Sequence, residues 1–163
     1  MTQNKDQLID KRDKPKNFKK KNNSNKYPLI ITLGFFLVFS YITFFHHNYW
    51  WSDVDGVFYL LTGNQLLNGD GSNVHIMDAP VGGSILYAFL GSILDDGFLA
   101  MKIIALLSCT GIVFVSFYII KNIFSFKVAL VGQLLVAFTP RLELNAILSM
   151  NEMLPIFLTF ISL

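Results

Sequence analysis

The sequence is short of charge: only 15% of its 163 residues are Asp, Glu, Lys or Arg, against about 25% in an ordinary soluble domain. The shortage is uneven, because the stretch from His46 to Gly97 holds not one Lys or Arg. There is a single cysteine, Cys109, inside an apolar run, so an intrachain disulfide is excluded and the residue says nothing about compartment. No internal repeat is present, and the glycines form neither a GxGxxG nor a Walker pattern. These absences leave glycine-loop nucleotide binding without a motif.

Apolar residues are what the sequence has in excess. They make up 53% of it, 16 are Phe, and the mean hydropathy is +0.49, which places the chain among membrane proteins. The net charge of +2 hides two unlike parts. Residues 1–26 carry nine Lys and Arg against three acids, a net +6, whereas the remainder carries four against eight, a net −4. A basic head on an acidic, apolar body fits neither a nucleic-acid module nor a disordered protein, and no nucleic-acid partner is expected.

The head, residues 1–27, is rich in Lys and Asn and has no apolar period, so it reads as a disordered basic tail. Lying directly before a hydrophobic run, it is expected to mark the cytoplasmic side and to meet membrane lipids. Residues 28–45, PLIITLGFFLVFSYITFF, carry no charge over 18 residues, roughly 27 Å of helix, close to the hydrocarbon thickness. This predicts one span rather than a cleaved signal peptide. The residues that follow, His46, His47, Tyr49, Trp50 and Trp51, form an interfacial belt and not a small-residue cleavage site. Adjacent His46 and His47 have the wrong spacing for two metal ligands on one helical face. The sequon Asn22-Asn23-Ser24 falls in the cytoplasmic tail and is expected to be silent.

The loop 46–96 holds Asp53, Asp55, Asp70, Asp78, Asp95 and Asp96 and no base, so the positive-inside rule puts it outside. Within it, VGGSILYAFLGSIL (residues 81–94) is an apolar run of 14 residues, open to two readings: a short span, or a helix on the outer surface. Charge favours the second. With 81–94 on the surface, 97–120 descends, Lys121 and Lys127 are cytoplasmic, and 128–144 rises back out, so every loop obeys the rule. The expected fold is an all-α integral membrane protein. It is a multi-span helical bundle with spans near 28–45, 97–120, 128–144 and 153–163 and a long extracytoplasmic first loop carrying surface helices. The closing run MLPIFLTFISL reads as a span cut short, so the chain is expected to be a fragment, inactive by itself.

Four ionisable groups fall at the outer boundary in this topology. Asp55 precedes a helix-compatible run, 56–67, with Val57, Leu60, Leu61 and Leu67 on one side. It reads either as that helix's N-cap or, with Asp53, as a D-x-D that holds a divalent metal or supplies a general base. Glu152, in ILSMNEMLPIF, is bordered by apolar segments, where an ionisable group is costly and by default functional. Lys102 either snorkels to the interface or binds a lipid phosphate. Arg141, just after Pro140, is expected to pair with Glu143.

The order of these elements resembles the N-terminal module of the GT-C superfamily, membrane glycosyltransferases that use polyprenyl-phosphate-linked sugars. Among its members are the protein O-mannosyltransferases, the aminoarabinose transferases and the oligosaccharyltransferases. The matching segments are SDVDGVFYLLTGNQLLNGDG, APVGGSILYAFLGSIL, DDGFLAMKIIALLS, IIKNIFSFKVAL and TPRLELNAILSMNE, over residues 28–163. Many relatives carry Asp-Glu, two residues, then Tyr. Asp55 and Tyr59 match that pattern, while Gly56 replaces the Glu, which leaves Asp53-Val54-Asp55 closer to the D-x-D of the metal-using oligosaccharyltransferase branch.

The resemblance implies catalytic roles for Asp55 and Glu152, substrate binding by Asp53, Lys102 and Arg141, and a divalent metal (Mg or Mn) on Asp53 and Asp55. It implies transfer of a hexosyl or pentosyl group from a polyprenyl-phosphate-sugar donor to a lipid, glycan or protein acceptor, with inversion, at the outer face of the plasma membrane or of the endoplasmic reticulum. The competing expectation is a non-enzymatic small multi-span membrane protein or transporter fragment whose acids serve packing or ion passage.

Overall fold

In the computed structural model, residues 26–46, 54–69, 81–148 and 152–163 are described. The basic tail up to residue 25, Asp53, His47, Tyr49, Trp50, Trp51, Asp70 and Asp78 lie outside them, as does the side chain of Asp55. Among the described residues the structure is helical, with no strand. The helices are α1 (Lys26–Tyr41), α2 (Val54–Leu67), α3 (Val81–Leu94), α4 (Gly97–Ile123), α5 (Phe126–Ala137), α6 (Pro140–Leu148) and α7 (Met153–Ser162). Beyond Tyr41 the first helix runs on as a single wider π turn, Ile42–His46, a form that inserts one turn of looser pitch without ending the helix.

Among the described residues two helices are long and apolar enough to cross a membrane: Lys26–Phe45, of 20 residues, and Gly97–Ile123, of 27. At 1.5 Å per residue they are roughly 30 and 40 Å long. The second is the axis of the bundle, packed by α1, α3, α5, α6 and α7. Its buried face is rich in small and branched residues, among them Ala100, Ala105, Cys109, Val113 and Ser116. Around it lie two cores. One joins Phe35, Leu106, Cys109, Ile112, Val113, Ala137, Leu142, Ala146 and Met153. The other joins Leu60, Tyr87, Met101 and Ile104, with Tyr59, Leu90, Phe98 and Leu154 packed against it.

Local chemistry explains where the helices stop. Asp95 takes φ 55°, the left-handed conformation that ends α3, and Asp tolerates it better than most side chains. Asp96 then caps α4: its Oδ1 accepts from the backbone N–H of Phe98 and of Leu99, both at 3.0 Å. The span expected over 128–144 is two helices in series, α5 and α6, broken at residues 138–139. The reason is Pro140, which has no N–H to continue α5 and is suited to the first position of a new helix.

Of the apolar side expected on α2, Leu60 alone is packed inside the bundle. Val57, Leu61 and Leu67 are exposed, whereas Gly56, Leu60, Thr62 and Gly63 are buried. At Gly63 the two backbones nearly touch: an added Cβ would strike the Ser84 carbonyl and stand 2.9 Å from the Ala88 Cβ. Small residues four apart, Ser84 and Ala88, make that approach possible, the packing device of helices that lack a large hydrophobic gain on association.

Charge is segregated along the bundle. Toward one end lie Lys26, at the start of α1, with Lys121 and Lys127 at the α4–α5 turn. Lys121 reaches over the Phe117 ring, 5.7 Å from its centroid. Gln133 of α5 ties α1 into this half, donating to the Pro28 carbonyl at 3.0 Å and to Thr32 Oγ1 at 3.1 Å. Toward the other end lie the Asp95–Asp96 turn, Lys102 in the second turn of α4, α6 with Arg141 and Glu143, and Glu152. There Thr43 Oγ1 in the π turn donates to the Ala146 carbonyl of α6 at 3.4 Å.

Candidate functional site

The end of the bundle that carries the acids is built by α2, α4, α6 and α7. Leu154 of α7 packs against the cluster of Leu60, Tyr87, Met101 and Ile104, so the first turn of α7 sits beside the first turns of α4. Gly97, the first residue of α4, faces Leu60 so closely that an added Cβ would lie 3.0 Å from a Leu60 methyl. With Leu60 against the start of α4 and Gly63 against Ser84 and Ala88, α2 runs antiparallel to α3. The beginning of α2 is therefore carried to the α3–α4 turn.

The structure brings two of the expected site residues into direct contact. Arg141 Nη2 lies 3.7 Å from Glu152 Oε2, and the two side chains are 69% and 64% exposed. The pairing with Glu143 expected from sequence does not form. Residues two apart on a helix point to different faces, whereas Glu152, just before α7, comes to the side chain of Arg141. Asn145, one turn further along that face, is fully buried, and its Nδ2 donates to the Met153 sulfur at 3.5 Å. Arg141 and Asn145 thus hold the head of α7 at two successive points, Glu152 and Met153.

Lys102 is half-buried in the second turn of α4, on the same end of the bundle. Asp55 is the second residue of α2, which begins at Val54, so its backbone lies inside the first turn and not at the N-cap. The helix dipole still favours a carboxylate there. Tyr59, one turn on, is half-buried beside Tyr87 in the second core. Burial, with Tyr59 adding to it, pushes the Tyr87 phenol up to about 12. Among the described residues no three His, Cys, Asp or Glu side chains gather to hold a metal. The D-x-D metal reading lies outside that set, since Asp53 is not described.

Glu143, released from Arg141, stands elsewhere. It lines a cavity of about 230 Å³ whose other walls are Ile31, Gly34, Phe35, Val38 and Phe39 of α1, and Leu134, Ala137 and Phe138 of α5 and its C-terminal cap. Sequence reasoning passed over this carboxylate as a salt-bridge partner. The signal that it is something else was the two-residue spacing from Arg141.

Comparison with protein-family models, with curated proteins and with solved structures finds no match. What the geometry itself defines, among the described residues, is the class: an all-helical bundle, two of whose helices are long and apolar enough to cross a membrane.

Proposed function

We propose that this chain forms part of a multi-span membrane glycosyltransferase that takes a sugar from a polyprenyl-phosphate donor at the outer face of the membrane. The observation that carries the reading is the contact of Arg141 with Glu152 at the bundle end to which the starts of α2 and α4 also come, with Asp55 and Lys102 on them. Segregation of Lys26, Lys121 and Lys127 toward the opposite end supports an inside N-terminus by the positive-inside rule.

In this reading an acceptor oxygen attacks the anomeric carbon, the bond from that carbon to the phosphate oxygen breaks, and polyprenyl phosphate leaves. Asp55 takes the acceptor's proton, a general-base contribution on the order of a hundred- to ten-thousand-fold. Lys102 and Arg141 offset the charge that grows on the leaving phosphate. An exposed ion pair is worth under about 1 kcal/mol, so Arg141 exchanges from Glu152 to a phosphate at little cost. Glu152 then orients the acceptor or the sugar hydroxyls. A divalent metal on Asp53 and Asp55 would add Lewis-acid help to phosphate departure.

The first test is topology. On a Cys109→Ser background, single cysteines at positions 55, 95, 122 and 152 are labelled in intact cells with a membrane-impermeant maleimide. Labelling at 55, 95 and 152 but not at 122 is expected. Labelling at 55 and 122 with 95 and 152 protected would separate the acids across the bilayer and leave the non-enzymatic or transporter alternative.

A further inference from the structure

The basic end of the bundle is apolar at its tip. Between α4 and α5 the chain turns on two extended residues, Phe124 and Ser125, and Ile123 and Phe124 there are 70% and 58% exposed. Lys121 and Lys127 flank them in sequence, both exposed, and neither is in an ion pair among the described residues. The Phe117 ring, itself buried, meets Phe126 edge-on at 5.6 Å and carries the Lys121 ammonium at 5.7 Å. That packing holds the start of α5, and Lys127 with it, against the last turns of α4. One ring face satisfies at most one of an ammonium's three donors, so both lysines have N–H groups left for an anion.

What that anion belongs to follows from helix length. The 27 residues of α4 span roughly 40 Å against about 30 Å of hydrocarbon. Each end therefore stands about 5 Å past the hydrocarbon boundary, inside a head-group layer about 5–8 Å deep. A two-residue turn adds little reach, so the lysines meet head groups rather than a macromolecule in the aqueous phase. A helical side chain leans toward the helix N-terminus, which turns Ile123 back toward the acyl chains, where its burial is favourable.

The surroundings are basic as well. Gln133, about two turns into α5, bonds to the Pro28 carbonyl and so brings Lys26, at the start of α1, to this end. Residues 1–26 carry nine Lys and Arg against three acids. The described acidic side chains, Asp95, Asp96, Glu143 and Glu152, lie toward the other end. We propose that the α4–α5 turn is a docking surface for anionic phospholipid, with Lys121 and Lys127 donating to the lipid phosphates and Ile123 entering the acyl region. It rests on the bundle spanning the bilayer but not on glycosyl transfer.

The test uses the full chain in nanodiscs of equimolar phosphatidylglycerol and phosphatidylcholine with matched acyl chains, so that both faces offer the same lipids. Lipid retained after release into detergent is identified by native mass spectrometry. Phosphatidylglycerol is expected to be enriched about tenfold, the effect of two lysines at a charged surface. Lys121→Gln with Lys127→Gln brings the enrichment to about twofold, whereas Lys121→Arg with Lys127→Arg keeps it. Neutralising Lys19, Lys20 and Lys21 to Gln lowers it less than the turn pair does. On a Cys109→Ser background, a nitroxide on Ile123→Cys is expected to meet oxygen more readily than a water-soluble nickel chelate.

Equal enrichment in the paired Gln variant overturns the proposal, as does a larger loss from the tail lysines than from the turn. A nitroxide more accessible to nickel than to oxygen also overturns it, since the turn would then face solvent and an acidic macromolecule would be its partner. Release of the wild-type chain from membranes by alkaline carbonate would overturn the spanning reading and the proposal together, and is read out independently of sugar transfer.

Discussion

Arg141 and Glu152, eleven residues apart in sequence, meet at 3.7 Å between the start of α6 and the start of α7, and both side chains remain largely in solvent. Exposed pairs of this kind stabilise by about 0–1 kcal/mol. Glu152→Gln and Arg141→Gln are therefore expected to shift the thermal unfolding of the detergent-solubilised chain very little, with a double-mutant coupling below about 1 kcal/mol. Sugar transfer by membranes carrying the chain in its native context is expected to fall about a hundredfold in Glu152→Gln if that carboxylate acts on the reacting groups. A large loss of stability with proportionate loss of transfer would make the pair a fastener and not part of a site.

Gly63 is where α2 and α3 come closest, and the obstacle to any side chain is the backbone carbonyl of Ser84. Backbone cannot rotate aside as a side-chain end can. Gly63→Ala is expected to destabilise by about 1–3 kcal/mol, the usual cost of overpacking. Gly82→Ala, where an added Cβ meets nothing within 4 Å, is expected to be neutral or to gain a few tenths of a kcal/mol from helix propensity. Comparing the two melting temperatures checks this, and equal melting temperatures would show that the close approach does not exist in solution.

The adjacent acids Asp95 and Asp96 perform different backbone tasks, and substitution should separate them. Asp96→Ala removes the acceptor for Phe98 N–H and Leu99 N–H and is expected to cost about 1 kcal/mol. Asp95→Gly relieves a side chain held at φ 55° and is expected to be neutral or stabilising by up to about 1 kcal/mol. Destabilisation by Asp95→Gly as large as that by Asp96→Ala would mean that the Asp95 carboxylate, rather than its backbone, matters.

Burial, with Tyr59 adding to it, pushes the Tyr87 phenol up from its ordinary 10.0 to about 12. Its neutral form is the one that the fold favours, so its contribution is complete below pH 10 and is lost as the pH rises from 10 through 12. The total loss is on the order of 2–3 kcal/mol. Tyr87→Phe retains the ring and removes the proton, so melting temperatures of wild type and variant are expected to run parallel below pH 10 and to converge or cross above it. Parallel curves up to pH 12 would show that Tyr87 is not buried.

Much of the helical layout was legible because it depends on neighbours in sequence. The apolar run at 81–94 is the helix Val81–Leu94, and the runs at 28–45 and 97–120 underlie the two longest helices. The break at Pro140 was missed, because hydropathy averaged across it and joined α5 to α6, although a missing N–H acts on its own helix. At the candidate site, the sequence singled out Asp55, Lys102, Arg141 and Glu152 from their types and flanks, and could not assign partners among them.

Composition and local pattern by themselves determined that this chain is apolar and helical, with its bases and acids in separate segments. These properties follow from burial per residue and from backbone geometry within a few positions. Only the tertiary structure decided that Glu152 takes Arg141, that α2 packs through Leu60 and Gly63 while Leu61 and Leu67 stay exposed, and that Glu143 is left beside an apolar cavity. Each of those outcomes depends on which helix faces are pressed together. A face is chosen by the sum of contacts between residues tens of positions apart, for which the linear order of side chains carries no local signal.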